Sequence, residues 1–302
     1  MLSRCRTKGL TMPEPRNTRL AELLGSLITS NGFSPTPVPG VEFIRSVEPC
    51  DPVPIIYTPR IVIVAQGSKR VMLGGDTYVY DANNYLVLGT PMPAQCATTA
   101  SEEEPLLGVV INVDPIIVGE LLLEIGDIPG TEPSAVANSS AMTTEVVDAA
   151  IRLAEACASP RDARILGQPI VREIVYRVLI SENGPVLRLA TSNTGRYGQI
   201  ARILRRIQQE YSTDLDVSSL AADANMGTST FHNAFRQVTA TSPVQYLKQI
   251  RLNHARTLLN VEGVTAQEAS VRVGYTSASQ FSREYRRMFG VSPAADRAVS
   301  AV

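Results

Sequence analysis

A chain of 302 residues, 44% of them hydrophobic and 19% charged, has the length for two folded units and enough apolar material to give each a core. Its formal net charge of -1 hides an asymmetry: from Arg196 onward there are 13 Lys+Arg against 8 Asp+Glu, and before it 15 against 21, so a polyanion would bind the C-terminal part. No apolar run approaches the roughly 18 residues that span a bilayer, and the basic start MLSRCRTKGL is not followed by the apolar stretch of a signal peptide, so the expectation is a cytoplasmic protein without a membrane partner.

Residues 1–17 are polar and aperiodic and read as a flexible tail, with Met12 an alternative start. Leu20, Leu23, Leu24, Leu27 and Ile28 then repeat at helical spacing, predicting an amphipathic helix that ends near Asn31-Gly32. From 41 to 113 the pattern changes to short runs rich in Val, Ile and Tyr. Turn signals at Gln66-Gly67, Gly74-Gly75-Asp76 and Asp81-Ala82-Asn83-Asn84 have the spacing of a small antiparallel barrel or sandwich. After Asp114-Pro115 the helical period returns, through 125 and then over 143–158 and 161–180. The last segment sets Ile165, Ile170, Ile174, Val175 and Val178 among Arg164, Arg172 and Arg177, an apolar stripe that covers the barrel or meets a second subunit. The expected division is therefore 18–190 (barrel 41–113, helices 114–180), a polar linker at 191–195, and an all-helical part from 196 to 302.

Beyond the linker the chain repeats itself. Laying GTSTFHNAFRQVTATSP (227–243) over TSASQFSREYRRMFGVSP (276–293) at an offset of 50 matches Phe231 with Phe281, Phe235 with Tyr285, Arg236 with Arg286, and Ser242-Pro243 with Ser292-Pro293. Each copy reads as a short helix, a turn and a longer helix: 217–224 then 228–239, and 265–273 then 277–289. Asp216 supplies a cap, Thr265 and Glu268 a capping box, and Gly227 and Gly274 are placed in the turns. These are helix-turn-helix units at about 217–239 and 265–289.

In the first unit's second helix, Phe231, Ala234, Phe235 and Val238 form the inward stripe, which leaves Ser229, His232, Asn233 and Arg236 outward. In the second unit, Phe281, Tyr285 and Met288 point inward and Ser279, Ser282, Arg283 and Arg286 outward. Guanidinium groups pair in two places with guanine O6 and N7, Asn does so with adenine, and hydroxyls or imidazole bond bases or phosphates. One such face alone could be an ordinary solvated surface; two at one offset point to double-stranded DNA. Between the units, 243–260 reads as a long helix of about 27–30 Å, near the ~34 Å between successive major-groove faces. Arg251 and Arg287, beside the reading elements, are expected on phosphates.

YLKQIRLNHARTLL (246–259) and VGYTSASQFSREYRRMFGVSP (273–293) resemble the DNA-binding domain of the AraC/XylS family over about 196–297. The resemblance implies that both second helices enter the major groove. It also implies a transcriptional regulator that forms a homodimer and, if it activates, meets RNA polymerase. Less specifically, RSVEPCDPVPIIYTPRIVIVAQGSKRVMLGG and YVYDANNYLVLGTPMPAQC resemble the cupin-like sensor domain of one branch of that family. The fold class expected is α+β: a small antiparallel cupin-like β-barrel with helices, followed by an all-α tandem helix-turn-helix domain.

A sensor implies a small-molecule effector, and Tyr57, Met72, Tyr78, Tyr80, Tyr85, Met92 and Cys96 are its candidate lining, with ordinary core packing the competing reading. Cupin enzymes hold a metal with histidines, yet His232 and His254 both lie in the DNA-binding part, so neither metal nor other cofactor is expected. The cysteines Cys5, Cys50, Cys96 and Cys157 are widely spaced, without the pattern of a zinc site or disulfide framework. Cys50 and Cys96 could be reactive thiols or buried apolar residues. Two alternatives stay open: an enzyme carrying a DNA-binding module, whose cysteine cluster or Pro-Cys-His-Arg site is missing here, and a constitutive DNA-binding protein whose barrel only dimerises.

Overall fold

A computed structural model describes residues 15–73, 75–126, 133, 135–192 and 195–299. Helix α1 (Pro15–Leu27) begins inside the stretch expected as a tail. The rest of that stretch, with Met12 and Cys5, lies outside the described residues. Nine strands follow: β1 (Gly32–Pro35), β2 (Val41–Ser46), β3 (Cys50–Tyr57), β4 (Arg60–Gln66), β5 (Ser68–Leu73), β6 (Asp76–Asp81), β7 (Asn84–Leu88), β8 (Met92–Thr99) and β9 (Leu106–Asn112). Helix α2 (Pro115–Ile125) and strand β10 (Ala137–Ala141) come next, then α3 (Thr144–Cys157), α4 (Pro160–Leu179) and α5 (Gly184–Arg188).

The strands form two antiparallel sheets, β1-β2-β9-β4-β7-β10 and β3-β8-β5-β6. They build a sandwich rather than one closed cylinder. The central strand β4 shows why its sequence is an unbroken apolar run. Ile61, Ile63 and Ala65 face the helices α1, α3 and α4, while Val62 and Val64 face the second sheet, so both sides of the strand are buried. In β8 the period is two: Met92, Ala94 and Cys96 point into the sandwich and Gln95 out. Leu20, Leu24 and Ile28 dock the first helical stripe on the outer face of the larger sheet. Each such side chain, fully buried, contributes about 1.5–3 kcal/mol.

Strands β1 and β10 were not foreseen. β10 reads ANSSA and pairs with β7 through the antiparallel backbone ladder, while buried Asn183, just before α5, accepts from Asn138 Nδ2 at 2.7 Å and from the Ser140 hydroxyl at 2.9 Å. Prolines at 52 and 54 place β3 at a sheet edge, where a missing N–H costs least.

The C-terminal part holds α6 (Gly195–Glu210), α7 (Val217–Asp223), α8 (Thr228–Thr239), α9 (Pro243–Asn260), α10 (Ala266–Arg272), α11 (Ala278–Phe289) and α12 (Pro293–Val299). It is not joined to the sandwich by a bare tether. One apolar cluster runs from Tyr57, Tyr80 and Met92 through Ile203 and Leu204 of α6 to Phe235 and Tyr246. The Tyr246 hydroxyl, fully buried, donates to Pro91 O at 2.8 Å. Of the expected linker, 193 and 194 lie outside the described residues. Within it Ser192 is tied down, because Arg205 donates to Leu189 O at 2.7 Å and to Ser192 O at 3.0 Å.

Candidate nucleic-acid interface

The two helix-turn-helix units repeat in their hydrogen bonds as well as in their letters. In the first, Asp216 caps α7 by accepting from Ser219 N at 3.1 Å, and hydrogen bonds from the Ser218 hydroxyl and the Ser219 amide hold its carboxyl below the usual value. In the second, Thr265 accepts from Glu268 N at 3.2 Å, while the Glu268 carboxylate turns to Arg272 at 2.8 Å instead of closing a reciprocal box. Each short helix ends in a left-handed residue, Asn225 at φ 54° and Gly274 at φ 83°. The following amide reaches back five residues, Met226 N to Ala221 O at 3.0 Å and Tyr275 N to Ser270 O at 2.9 Å.

Gly227 lies between α7 and α8, as expected, but not at the left-handed point of the turn. The left-handed position belongs to Asn225, the side-chain type that best tolerates it after Gly. Gly227 instead caps α8 with an ordinary extended backbone (φ -66°, ψ 151°) and no side-chain bond, where Ser277 caps α11 by accepting from Gln280 N at 3.3 Å. The second turn is one residue longer, so the offset is 49 through the short helices and 50 beyond.

Inside each unit, aromatic rings fix the long helix. Phe231 meets Phe235 at 5.5 Å and Phe235 meets Tyr246 at 5.5 Å; Tyr275 meets Phe281 at 5.4 Å and Phe281 meets Tyr285 at 5.6 Å. With those faces buried, Ser229, His232, Asn233 and Arg236 are all exposed, as are Ser279, Arg283 and Arg286, with Ser282 half-buried. Arg236, Arg283 and Arg286 have no carboxylate partner among the described residues. The 18-residue helix α9 carries both units.

The two expected phosphate contacts stand differently. Arg251 is half-buried, donating from Nε to Tyr211 O at 2.7 Å and from a terminal nitrogen to Thr213 O at 2.8 Å. Its guanidinium, 5.9 Å from the centre of the Tyr275 ring, is already committed to the protein. Arg287 is exposed, but lines a cleft of about 480 Å³ between the smaller sheet and the C-terminal helices, with Ile55, Met72, Gln249 and Met288.

The candidate effector residues separate. Tyr57, Tyr80 and Cys96 meet inside the sandwich, with the two hydroxyls 3.0 Å apart and the thiol 3.3 Å from Tyr57, and Met92 is buried beside them. Burial pushes both tyrosines well above their ordinary range. Tyr78 is half-buried against the same cluster, and burial raises it to about 12. Tyr85 faces the opposite side, its hydroxyl 3.3 Å from that of Ser181, and Met72 points outward into the cleft. Cys50 is exposed.

Unforeseen were the acidic residues behind α11. Glu284 accepts from Lys248 Nζ at 2.6 Å, from the Tyr275 hydroxyl at 2.8 Å and from Gln280 at 3.2 Å. Asp296 of α12 accepts from the Tyr285 hydroxyl at 2.6 Å and from Arg256 Nε at 2.9 Å. A carboxylate inside an otherwise basic helix was the signal that could have exposed the first.

A sandwich joined to two matched helix-turn-helix units, each with an exposed polar face, defines a DNA-binding transcriptional regulator. The family model for the AraC-type transcriptional regulator N-terminus matches residues 37–186, and one for a helix-turn-helix domain matches 220–298. The chain belongs to the AraC family of transcriptional regulators. It is 26% identical over 247 residues to the thermoregulatory protein LcrF of Yersinia pestis, covering 78% of this chain and 88% of that one. In fold it is similar to an apo variant of ToxT from Vibrio cholerae (TM-score 0.61, 9% identity, 89% of this chain and 98% of that). Wild-type ToxT with an unsaturated fatty acid bound is similar at TM-score 0.58 and 10% identity, over 89% and 97% of the two chains. No helix among the described residues is long and apolar enough to cross a membrane.

Proposed function

We propose that the chain regulates transcription by binding, without catalysis, reading two successive major-groove faces of duplex DNA. Base edges are met by Ser229, His232, Asn233 and Arg236 on α8 and by Ser279, Ser282, Arg283 and Arg286 on α11. The observation that carries this reading is the recurrence of one turn geometry and one exposed polar face at both ends of a single rigid helix. Arg287, already exposed, serves a phosphate, and Arg251 acts by holding the loop between α6 and α7.

The domain division expected from the sequence, 18–190 and 196–302, goes with this division of labour. The N-terminal part answers a small molecule, dimerises through its helices, and shifts how the C-terminal part meets DNA and, in an activator, RNA polymerase. Support comes from the ligand-bound neighbour of the same fold and from the cleft drawn from both parts, in which Arg287 stands among Met72, Met288, Gln95 and Gln249 and offers a carboxylate a cationic partner. One observation favours the other reading, that the sandwich only positions the reader: Tyr57, Tyr80, Met92 and Cys96 are packed and hydrogen-bonded as an ordinary core.

Binding-site selection tests both arms. Arg283→Ala and Asn233→Ala are expected to relax preference at particular bases, each by about 1–3 kcal/mol; an unchanged motif for both sinks the assignment. Repeating the selection with a saturating unsaturated fatty acid is expected to change affinity, and identical binding with and without it removes the ligand arm.

A further inference from the structure

The two reading helices are set by different physics. At equivalent positions the first unit has the apolar pair Phe235 and Tyr246, packed edge to face at 5.5 Å, whereas the second has Tyr285 and Asp296, joined by a 2.6 Å hydrogen bond. One residue before Tyr285 stands Glu284, whose counterpart in the first unit is the buried Ala234. The Glu284 side chain is 15% exposed, and its hydrogen bonds go to none of the four outward residues. It joins three elements: Lys248 from α9, Tyr275 from the turn, and Gln280 one helical turn earlier on α11. Both carboxylate oxygens are used, the first by Lys248 and Gln280 and the second by Tyr275. Burial opposes its charge, yet these three donors outweigh burial and hold the carboxyl below its ordinary value.

The geometry assigns Glu284 as a positioning residue for sequence reading by the second unit, with Lys248 its partner. This rests on the DNA-reading role of α11 proposed above. α11 is a 12-residue helix whose rotation about its own axis decides where Ser279, Ser282, Arg283 and Arg286 point. Apolar packing of Phe281 and Tyr285 with Leu252, Ala255 and Leu259 sets its distance from α9, but such packing is non-directional, whereas charge-assisted hydrogen bonds fix an orientation. The clamp adds a rotational constraint on the α9 side of α11, where the first unit has alanine and packing; the directional bond on α8 lies elsewhere, from Arg196 to Gln237 at 2.9 Å.

Full-length Glu284→Gln and Lys248→Met proteins test the assignment, with Arg283→Ala as the control that locates the half-site read by α11. Each clamp variant is expected to lose roughly tenfold discrimination within that half-site only. The half-site read by α8 should keep its motif, and the double variant should lose little more than either single one, as a shared interaction requires. Equal loss over both half-sites, or full discrimination in both clamp variants, overturns the assignment. If Arg283→Ala changes no base preference, the reading role of α11 fails, and the positioning role falls with it for a reason that the control identifies.

Discussion

Two residues at matching points of the repeat show how much a single backbone angle can weigh. α8 ends in Ala240 at φ 56°, and α11 ends in Gly290 at φ 79°. A left-handed alanine costs about 1–2 kcal/mol, and glycine removes that cost while adding about 0.5–1 kcal/mol of unfolded-chain entropy. Ala240→Gly is therefore expected to raise stability by about 0.5–1 kcal/mol in urea unfolding. Gly274→Ala should act in the opposite sense and more strongly, by about 2 kcal/mol or more. It combines the left-handed cost with a Cβ that would lie 2.4 Å from Ser212 O, a backbone atom that cannot swing aside. A destabilised Ala240→Gly protein or a tolerated Gly274→Ala protein would show that these turns are looser than described.

His254 offers a residue-scale test with pH. Its ring stacks on Tyr211 with centroids 4.0 Å apart, and burial lowers its pKa below 6.5, so the folded chain takes up a proton there less readily than the unfolded chain. As pH falls through 6.5, the unfolded chain takes up a proton that the folded chain refuses, and stability drops until the folded pKa is also passed. The expected loss between pH 7 and pH 5.5 should be smaller in His254→Gln. Parallel pH curves for the two proteins would remove His254 as the cause.

At the scale of elements, Arg251 decides between two uses of a cation. Bonded to Tyr211 O and Thr213 O, it ties α9 to the loop that leads into α7. Arg251→Ala should cost about 1–3 kcal/mol of stability, as expected for charged hydrogen bonds. The salt dependence of DNA binding should stay nearly unchanged, whereas a phosphate contact would lower its slope by about one. Measuring both quantities on one variant separates the roles.

Helices were legible wherever an apolar stripe met a cap. α9 spans the stretch read from Pro243 and its stripe, and α8 the stretch read between Thr228 and Thr239. α6 escaped notice although Ile200, Ile203, Leu204 and Ile207 form a stripe, because Gly195 and Gly198 at its start resemble a linker. β10 escaped because its pairing with β7 is a backbone ladder beneath a small polar sequence, ANSSA, with no apolar alternation to see. The outward faces of α8 and α11 could be read because burial of Phe231 and Phe281 dictates them. The clamp behind α11 could not, since Lys248 and Glu284 are 36 residues apart and meet only in three dimensions. The effector lining was the weakest reading: alternation tells which face a residue takes, not whether the space before it is filled.

For the molecule as a whole, the common core of sandwich and helices matters more than the polar segment between them. Tyr246 lies wholly inside that core, and its hydroxyl answers a carbonyl that would otherwise be buried without a partner. Tyr246→Phe should cost the full-length protein about 1–3 kcal/mol, the penalty for leaving Pro91 O unsatisfied. In a fragment covering 195–302 the same change should cost almost nothing, because water replaces Pro91. If the substitution costs the fragment as much as the whole protein, the contact between the parts is not what Tyr246 supplies.

The span from Pro91 to Tyr246 also has a consequence in time. The two partners are 155 residues apart, and a ribosome adding about 5–20 residues per second needs roughly 8–30 s to deliver the second after the first. Once β10 has been made, and until α6, α8 and α9 follow in turn, the nascent sandwich presents to its surroundings the apolar surface that those helices cover. A stop codon or a prolonged translational pause before α9 emerges would thus release or stall a half-covered fold, an occasion for chaperone capture or aggregation that the finished protein never presents.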